Sequence, residues 1–434
     1  MTAPNGPILF NSSSGSDTAA SGLGPDPAVS GTGASLNATT TVDLSADNPD
    51  LINVQAGDLL WVDASSGRQF SIIASSDNTA KTVTCDDAFA VTETGRNWGI
   101  GGKRLSCQGS LQAFADAKGG WTFELEDGYT ENISSAPIEF SADPTVTDGP
   151  IKFGGPSSPT TRPSFDNNGH TITGGELFRF SGRGWHVENF DITCYGNTSG
   201  WSSIKSVNNR NLFQKLKFFM HSDGDIGTAL ALSSENKARY CVFDSRQFNN
   251  MKGGPHIKMS NKCIAEYNHI IGCDGVSSFG IAFDKNSSFQ IVRHNIIERC
   301  ADIGIKWNAG NQGQQSAYGN IIYNCGIGIS FAVSNTNNLA TFDISNNIVT
   351  HSAGWGLDMG TVTEEELKYH SMIIARNAFY SNTSGSISRA VFEDNNIDLT
   401  ADPFVDAANG DFNINNDAGG GALLRSQAVE IPSI

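Results

Sequence analysis

The sequence predicts an all-β chain, a parallel β-solenoid behind a small N-terminal antiparallel β module, and three observations predict it. The first is a repeat. Asn268-His269-Ile270-Ile271, Asn295-Ile296-Ile297-Glu298, Asn320-Ile321-Ile322-Tyr323 and Asn347-Ile348-Val349-Thr350 read alike, and a weaker copy starts at Asn377, giving steps of 27, 25, 27 and 30. The same phase falls backward on Cys241, Leu216 and Asn189. A period of about 20–50 residues marks a solenoid or related array. The second is a Gly-apolar pair after each segment, at Gly280-Ile281, Gly304-Ile305, Gly328-Ile329 and Gly356-Leu357. The third is composition: the units are rich in Ile, Val, Phe, Asn and Gly and poor in helix formers, with short alternating runs between polar corners.

Coils of this kind stack with like residues about 4.8 Å apart along the axis. Stacking gives the recurrent Asn a reason, because a buried corner amide bonds to its copies above and below. It also lines up the cysteines at 194, 273, 300 and 325, each five places after the Asn phase. Thiols at that spacing are within reach of one another, but a column of reduced cysteines acting as small buried hydrophobes is the simpler expectation.

Residues 1–40 are Gly-, Ser-, Thr- and Ala-rich and nearly uncharged, as in a flexible arm. Residues 41–105 carry strand-like runs at Leu59-Leu60-Trp61-Val62, Gln69–Ala74 and Thr82–Cys85 between turn signals, which makes an antiparallel attachment module. Leu111–Ala117 is the best helix candidate, a cap over 106–120 for the open end of the solenoid. Alternation from Thr122 onward opens a β-helix over 121–415, irregular at first, with an acidic insertion at Thr361–Leu367 and a tail over 416–434.

Charge and cysteine usage narrow the partners. A net charge of −17 disfavours non-specific binding of nucleic acid or anionic membrane. No apolar run approaches the roughly 18 residues of a membrane span, and Met1–Asn5 lacks the basic and apolar regions of a signal peptide. No CxxC pair or Cys/His cluster has zinc spacing, so neither metal nor cofactor is expected.

The pattern Asn-x-Ile-Ile…Cys…Gly-Ile, closed by Asp402-Pro403-Phe404-Val405-Asp406…Asn409-Gly410-Asp411-Phe412, resembles the right-handed parallel β-helix (pectate-lyase-like) superfamily over about residues 120–415. The order arm, β module, β-helix resembles bacteriophage tailspikes and virion fibres. That resemblance implies a right-handed coil and a homotrimeric virion protein joined to other virion proteins through its N-terminal region, contacting cell-surface polysaccharide. The alternative it implies is an extracellular polysaccharide lyase or glycoside hydrolase acting on an acidic polysaccharide.

Candidate chemistry comes from aligning the outward positions of the Gly-Ile strands. Behind the inward Ile204, Leu230, Ile257, Ile281, Ile305, Ile329 and Leu357 stand Lys205, Ala231, Lys258, Ala282, Lys306, Ser330 and Asp358. With Asp284 two places after Ala282 and His256 before Ile257, the candidates are His256, Lys258, Asp284 and Lys306. A β-eliminating lyase needs a base for the proton α to a uronate carboxylate and cations for the carbanion, and those residue types are present. The same lysines and Asp284 also make an exposed ion-pair column. Asp284 and Asp358 lie three coils apart, about 14 Å, too far for a hydrolase pair. Glycan contact is expected at Trp185, Trp201, Asn308 and Asp358, while Trp307 and Met359 take the inward phase.

Overall fold

A computed structural model describes residues 8–10 and 29–426, except 53, 55–58, 66, 87, 102, 105–106, 108–121, 135, 144–149, 168–174, 197–201, 223–227, 247–253, 273–277, 285–287, 308–312, 332–339, 361–370 and 390–392. The helix expected over Leu111–Ala117 and the insertion Thr361–Leu367 lie outside the described residues, as do Trp201, Cys273 and Asn308. The chain divides into two units. One comprises residues 1–133, 138–165 and 180–190, and the other 134–137, 166–179 and 191–434.

The first unit contains a closed antiparallel barrel of Val29–Asn37, Thr41–Asp43, Leu59–Ala64, Gly67–Asp77, Thr82–Cys85 and Thr92–Gly101. Its first strand falls inside the stretch expected to be an arm. The cause is alternation: Ala34 and Leu36 point inward with Val42, Leu60, Val62, Val83 and Trp98, so a Ser/Gly-rich segment still supplies one apolar face. Trp98 keeps its indole N–H satisfied on Asp47 Oδ2 at 2.6 Å. The same unit holds three parallel strands, Thr122–Leu125, Ile151–Gly154 and Trp185–Glu188. Phe123, Leu125, Phe153, Trp185 and Val187 face inward and are fully buried. Ile8–Phe10, also within the expected arm, pairs in parallel with Thr122–Leu125.

In the second unit each coil gives one strand to each of three parallel sheets, and the residues aligned by phase are Cα partners. Ile270, Ile297, Ile322 and Val349 stack in one sheet. Ile257, Ile281, Ile305 and Ile329 stack in the Gly-Ile sheet. The solenoid is therefore direct observation. Its Asn ladder is continuous: Asn268, Asn295, Asn320, Asn347 and Asn377 each donate from Nδ2 to Oδ1 of the next, at 2.9–3.0 Å, ending on Asn396. Each Oδ1 also accepts the backbone N–H of the previous Asn. The residue before each Asn is left-handed, with φ of 54° at Tyr267, His294 and Asn346 and 55° at Arg376. That conformation costs about 1–2 kcal/mol for an L-residue, and the buried amide network offsets it.

Glycine of the Gly-Ile pair is required by close packing. A Cβ on Gly304 would stand 2.6 Å from the Gly328 carbonyl and 2.7 Å from Ile322 Cγ2. The described cysteines are buried thiols, Cys194, Cys300 and Cys325 among them. The expected tail is in part structured, because Gly421–Ser426 is helical and buries Leu424. With the hairpin Phe404–Asp406 and Asp411–Ile414, this helix covers the outward apolar column Ile296, Ile321, Ile348 and Ala378. Among the described residues no helix is long and apolar enough to cross a membrane.

Candidate functional site

The outward column of the Gly-Ile sheet is assembled as the alignment requires. Lys205, Ala231, Lys258, Ala282, Lys306, Ser330 and Asp358 are successive Cα partners. Lys205 Nζ sits 2.8 Å from Glu176 Oε1, and Glu176 also takes Arg179 at 2.8 Å. Lys258 Nζ lies 3.4 Å from Asp284 Oδ1, which is also within 3.3 Å of Ser260 Oγ through Oδ2. Lys306 Nζ stands 4.1 Å above the Phe279 ring, a cation–π contact. Asp358 binds its own turn by accepting Gly360 N–H at 2.9 Å.

His256 is not on this face. It is 1 % exposed, with Nε2 at 2.8 Å from Ser245 Oγ and Nδ1 at 2.8 Å from the Phe279 carbonyl. Burial pulls its pKa down to about 4, against a smaller opposing pull from the Phe279 carbonyl and Asp244. A neutral, doubly bonded core imidazole has no access to substrate, so the structure separates His256 from Lys258, Asp284 and Lys306. Sequence placed it by phase, where the later coils carry Gly280, Gly304, Gly328 and Gly356; the imidazole instead turns inward onto Ser245. Trp185 is likewise core, fully buried, with its indole N–H on the Ala142 carbonyl at 3.2 Å and its ring edge-on to Phe140 at 4.9 Å. Trp307 and Met359 are buried, as the inward phase requires. Among the described residues, no group of three or more His, Cys, Asp or Glu is gathered to hold a metal ion.

A second place was missed from sequence. A cleft of about 320 Å³ opens over the three parallel strands of the first unit, within the size range of small-ligand sites. Gly154 pairs with Glu124 on one side and Glu188 on the other, so two outward carboxylates flank a rung without a side chain. A Cβ on Gly154 would meet the Glu188 carbonyl at 1.9 Å. Burial pushes the Glu124 carboxyl above its ordinary range, and the charge of Glu126 adds to the shift. Lys152 stands on the middle strand, two residues before Gly154 on the same face. The signal was there as alternation at Phe123-Glu124-Leu125 and Val187-Glu188, but steps of 30 and 34 residues through Gly154 hid the register.

No family model matches the chain, and no curated protein sequence does. Among solved structures, an alginate lyase from Paenibacillus sp. str. FPU-7 is similar at 15% identity, over 67% of this chain and 96% of that one, with a TM-score of 0.44. Pectate lyase Pel9A aligns at 14% over 70% and 78%, with a TM-score of 0.43. A rhamnogalacturonan lyase aligns at 12% over 74% and 93%, with a TM-score of 0.45. The in-register parallel sheets and the Asn ladder fix the architecture on their own: the chain folds as a parallel β-helix with three sheets.

Proposed function

We propose that the protein is a glycan-binding β-helix that holds an extended acidic polysaccharide along the outward column of the Gly-Ile sheet. One observation carries this reading. Lys205, Lys258 and Lys306 stand on every second rung, with Ala231 and Ala282 between them. Two rungs span about 9.6 Å, and an extended polyuronate turns same-side carboxylates toward one face at an interval of that order. The alanines leave the intervening rungs shallow enough for the sugar rings.

Charge supports the choice of ligand. Among the described residues of these coils, Arg179 and Lys205 pair with Glu176, Lys258 pairs with Asp284 and Lys306 stands over a ring, so four cations meet these two carboxylates and Asp358, in a chain of net charge −17. Exposed ion pairs are worth about 0–1 kcal/mol, so a glycan carboxylate can take the place of Asp284 at Lys258 at little cost. The imidazole of His256 is in the core and takes no part at this face. Isothermal titration with polygalacturonate and alginate tests the reading. Binding should weaken at least tenfold in a Lys205→Ala/Lys258→Ala/Lys306→Ala variant and fall with added salt; undiminished binding by that variant would sink it.

A further inference from the structure

We infer a hydrolytic site in the cleft of the first unit, where Glu124 and Glu188 act as the carboxyl pair of an inverting glycoside hydrolase. The inference stands apart from polyuronate binding and uses none of its residues. The cleft comes first: about 320 Å³, walled by Glu124 and Glu188 and floored by Gly154 and Gly155. Lys152 and Asn189 also line it.

Register sets the distance between the walls. Glu124 and Glu188 are each one ladder step from Gly154, so their Cα columns are about 9.6 Å apart. Inverting hydrolases hold their carboxyl groups about 6.5–9.5 Å apart to admit a water, whereas retaining enzymes need about 5–5.5 Å. Adjacent rungs would give the shorter spacing. A missing rung gives the longer one, and Gly154 is that missing rung. Because a Cβ there would collide with the Glu188 carbonyl, close backbone approach keeps the space between the carboxylates clear.

Environment assigns the roles. Both carboxyls are half-buried, but desolvation and the charge of Glu126 raise the hold of Glu124 on a proton, which suits the general acid. Glu188 is then the base. It takes a proton from water as the water oxygen bonds to the anomeric carbon. The bond from that carbon to the glycosidic oxygen breaks with its electron pair on the oxygen, and that oxygen takes the Glu124 proton. The products are a hemiacetal of opposite anomeric configuration and a free alcohol, and solvent exchange returns the proton from Glu188 to Glu124. Lys152, on the middle strand, donates hydrogen bonds to a sugar hydroxyl. The substrate class is an oligosaccharide of hexopyranose units, of which the cleft takes a short segment.

The test uses the full chain with millimolar cello-, malto-, isomalto- and chitopentaose, followed by proton NMR of the anomeric signals. Cleavage of at least one with inverted configuration is expected. Glu124→Gln and Glu188→Gln should each lower the rate by about 10²–10⁴-fold without changing the circular dichroism spectrum. Glu126→Gln should move the alkaline limb of the pH–rate profile to lower pH. Absence of cleavage across the panel, retained configuration, survival of activity in either glutamine variant, or an unmoved limb would overturn the assignment. A chain that loses polygalacturonate binding with its three lysines yet cleaves nothing keeps the binding reading and loses this one.

Discussion

Asn295→Ala tests the column logic most directly. The side chain is fully buried and makes five hydrogen bonds. Its Oδ1 accepts from Asn268 N at 3.0 Å and Asn268 Nδ2 at 2.9 Å, and its Nδ2 donates to Ala265 O, Arg293 O and Asn320 Oδ1, all at 3.0 Å. Truncation strands the Asn268 backbone N–H away from water, which costs about 1–3 kcal/mol, and forfeits the remaining bonds at about 0.5–1.5 kcal/mol each. Part of that is recovered, since Asn268 Nδ2 still reaches the Ala238 carbonyl at 3.2 Å. The expected loss is about 3–5 kcal/mol. Asn396→Ala, at the half-buried end of the ladder, should cost less than half as much, because water can replace its bonds to Asn377. Guanidinium unfolding measures both, with unfolding rates carrying the comparison where refolding is slow. A loss below about 1 kcal/mol at Asn295, or equal losses at the two positions, would show that the ladder is not what holds the corners.

Three further outcomes follow from buried groups. His256 has a folded pKa of about 4, below its unfolded value near 6.5, so its contribution is complete above about pH 6.5 and is lost as pH falls toward 4. The loss is about 3 kcal/mol, read from urea midpoints, and His256→Gln should flatten that window; an unchanged slope would refute a neutral core imidazole. Gly304→Ala forces a methyl against the Gly328 carbonyl and Ile322 and should cost about 1–3 kcal/mol, whereas an unchanged melting temperature would remove the packing reason for that glycine. Burial pushes the Cys263 thiol up to about 12, so iodoacetamide at pH 8 should leave it unmodified by peptide mass spectrometry until the chain is unfolded.

What was legible in the sequence was whatever repeats. Asn268, Asn295, Asn320 and Asn347 share one job and recur every 25 to 27 residues, so coil length, register and the inward faces could be read off together. What was not legible was what each coil faces. Ile296, Ile321 and Ile348 look like core residues of a two-sided sheet, yet they point outward and are covered by Phe404, Phe412 and Leu424, which lie too far along the chain for periodicity to connect them. Ala34 and Leu36 failed for the opposite reason. Two inward side chains among serines and glycines suffice for a barrel strand whose partners supply the bulk of the core, while local composition reads as an arm.

Candidate chemistry divides along the same line. Lys205, Lys258 and Lys306 were found because they sit in the regular coils, where phase alone places them. Phase also put His256 beside them, and there it failed, because position in a column says nothing about whether a polar side chain finds partners behind the sheet. Ser245 Oγ and the Phe279 carbonyl satisfy both ring nitrogens, and a buried imidazole with two partners is more stable inward than out. Glu124 and Glu188 show the converse. A repeat demands that each rung resemble the next, which brings like charges within about 4.8 Å of one another, where two carboxylates repel. A pair of glutamates on one face therefore requires a rung that breaks the pattern, and Gly154 breaks it. In a solenoid the place to look for paired acids is an interruption of a column, in the irregular coils where spacing is least readable.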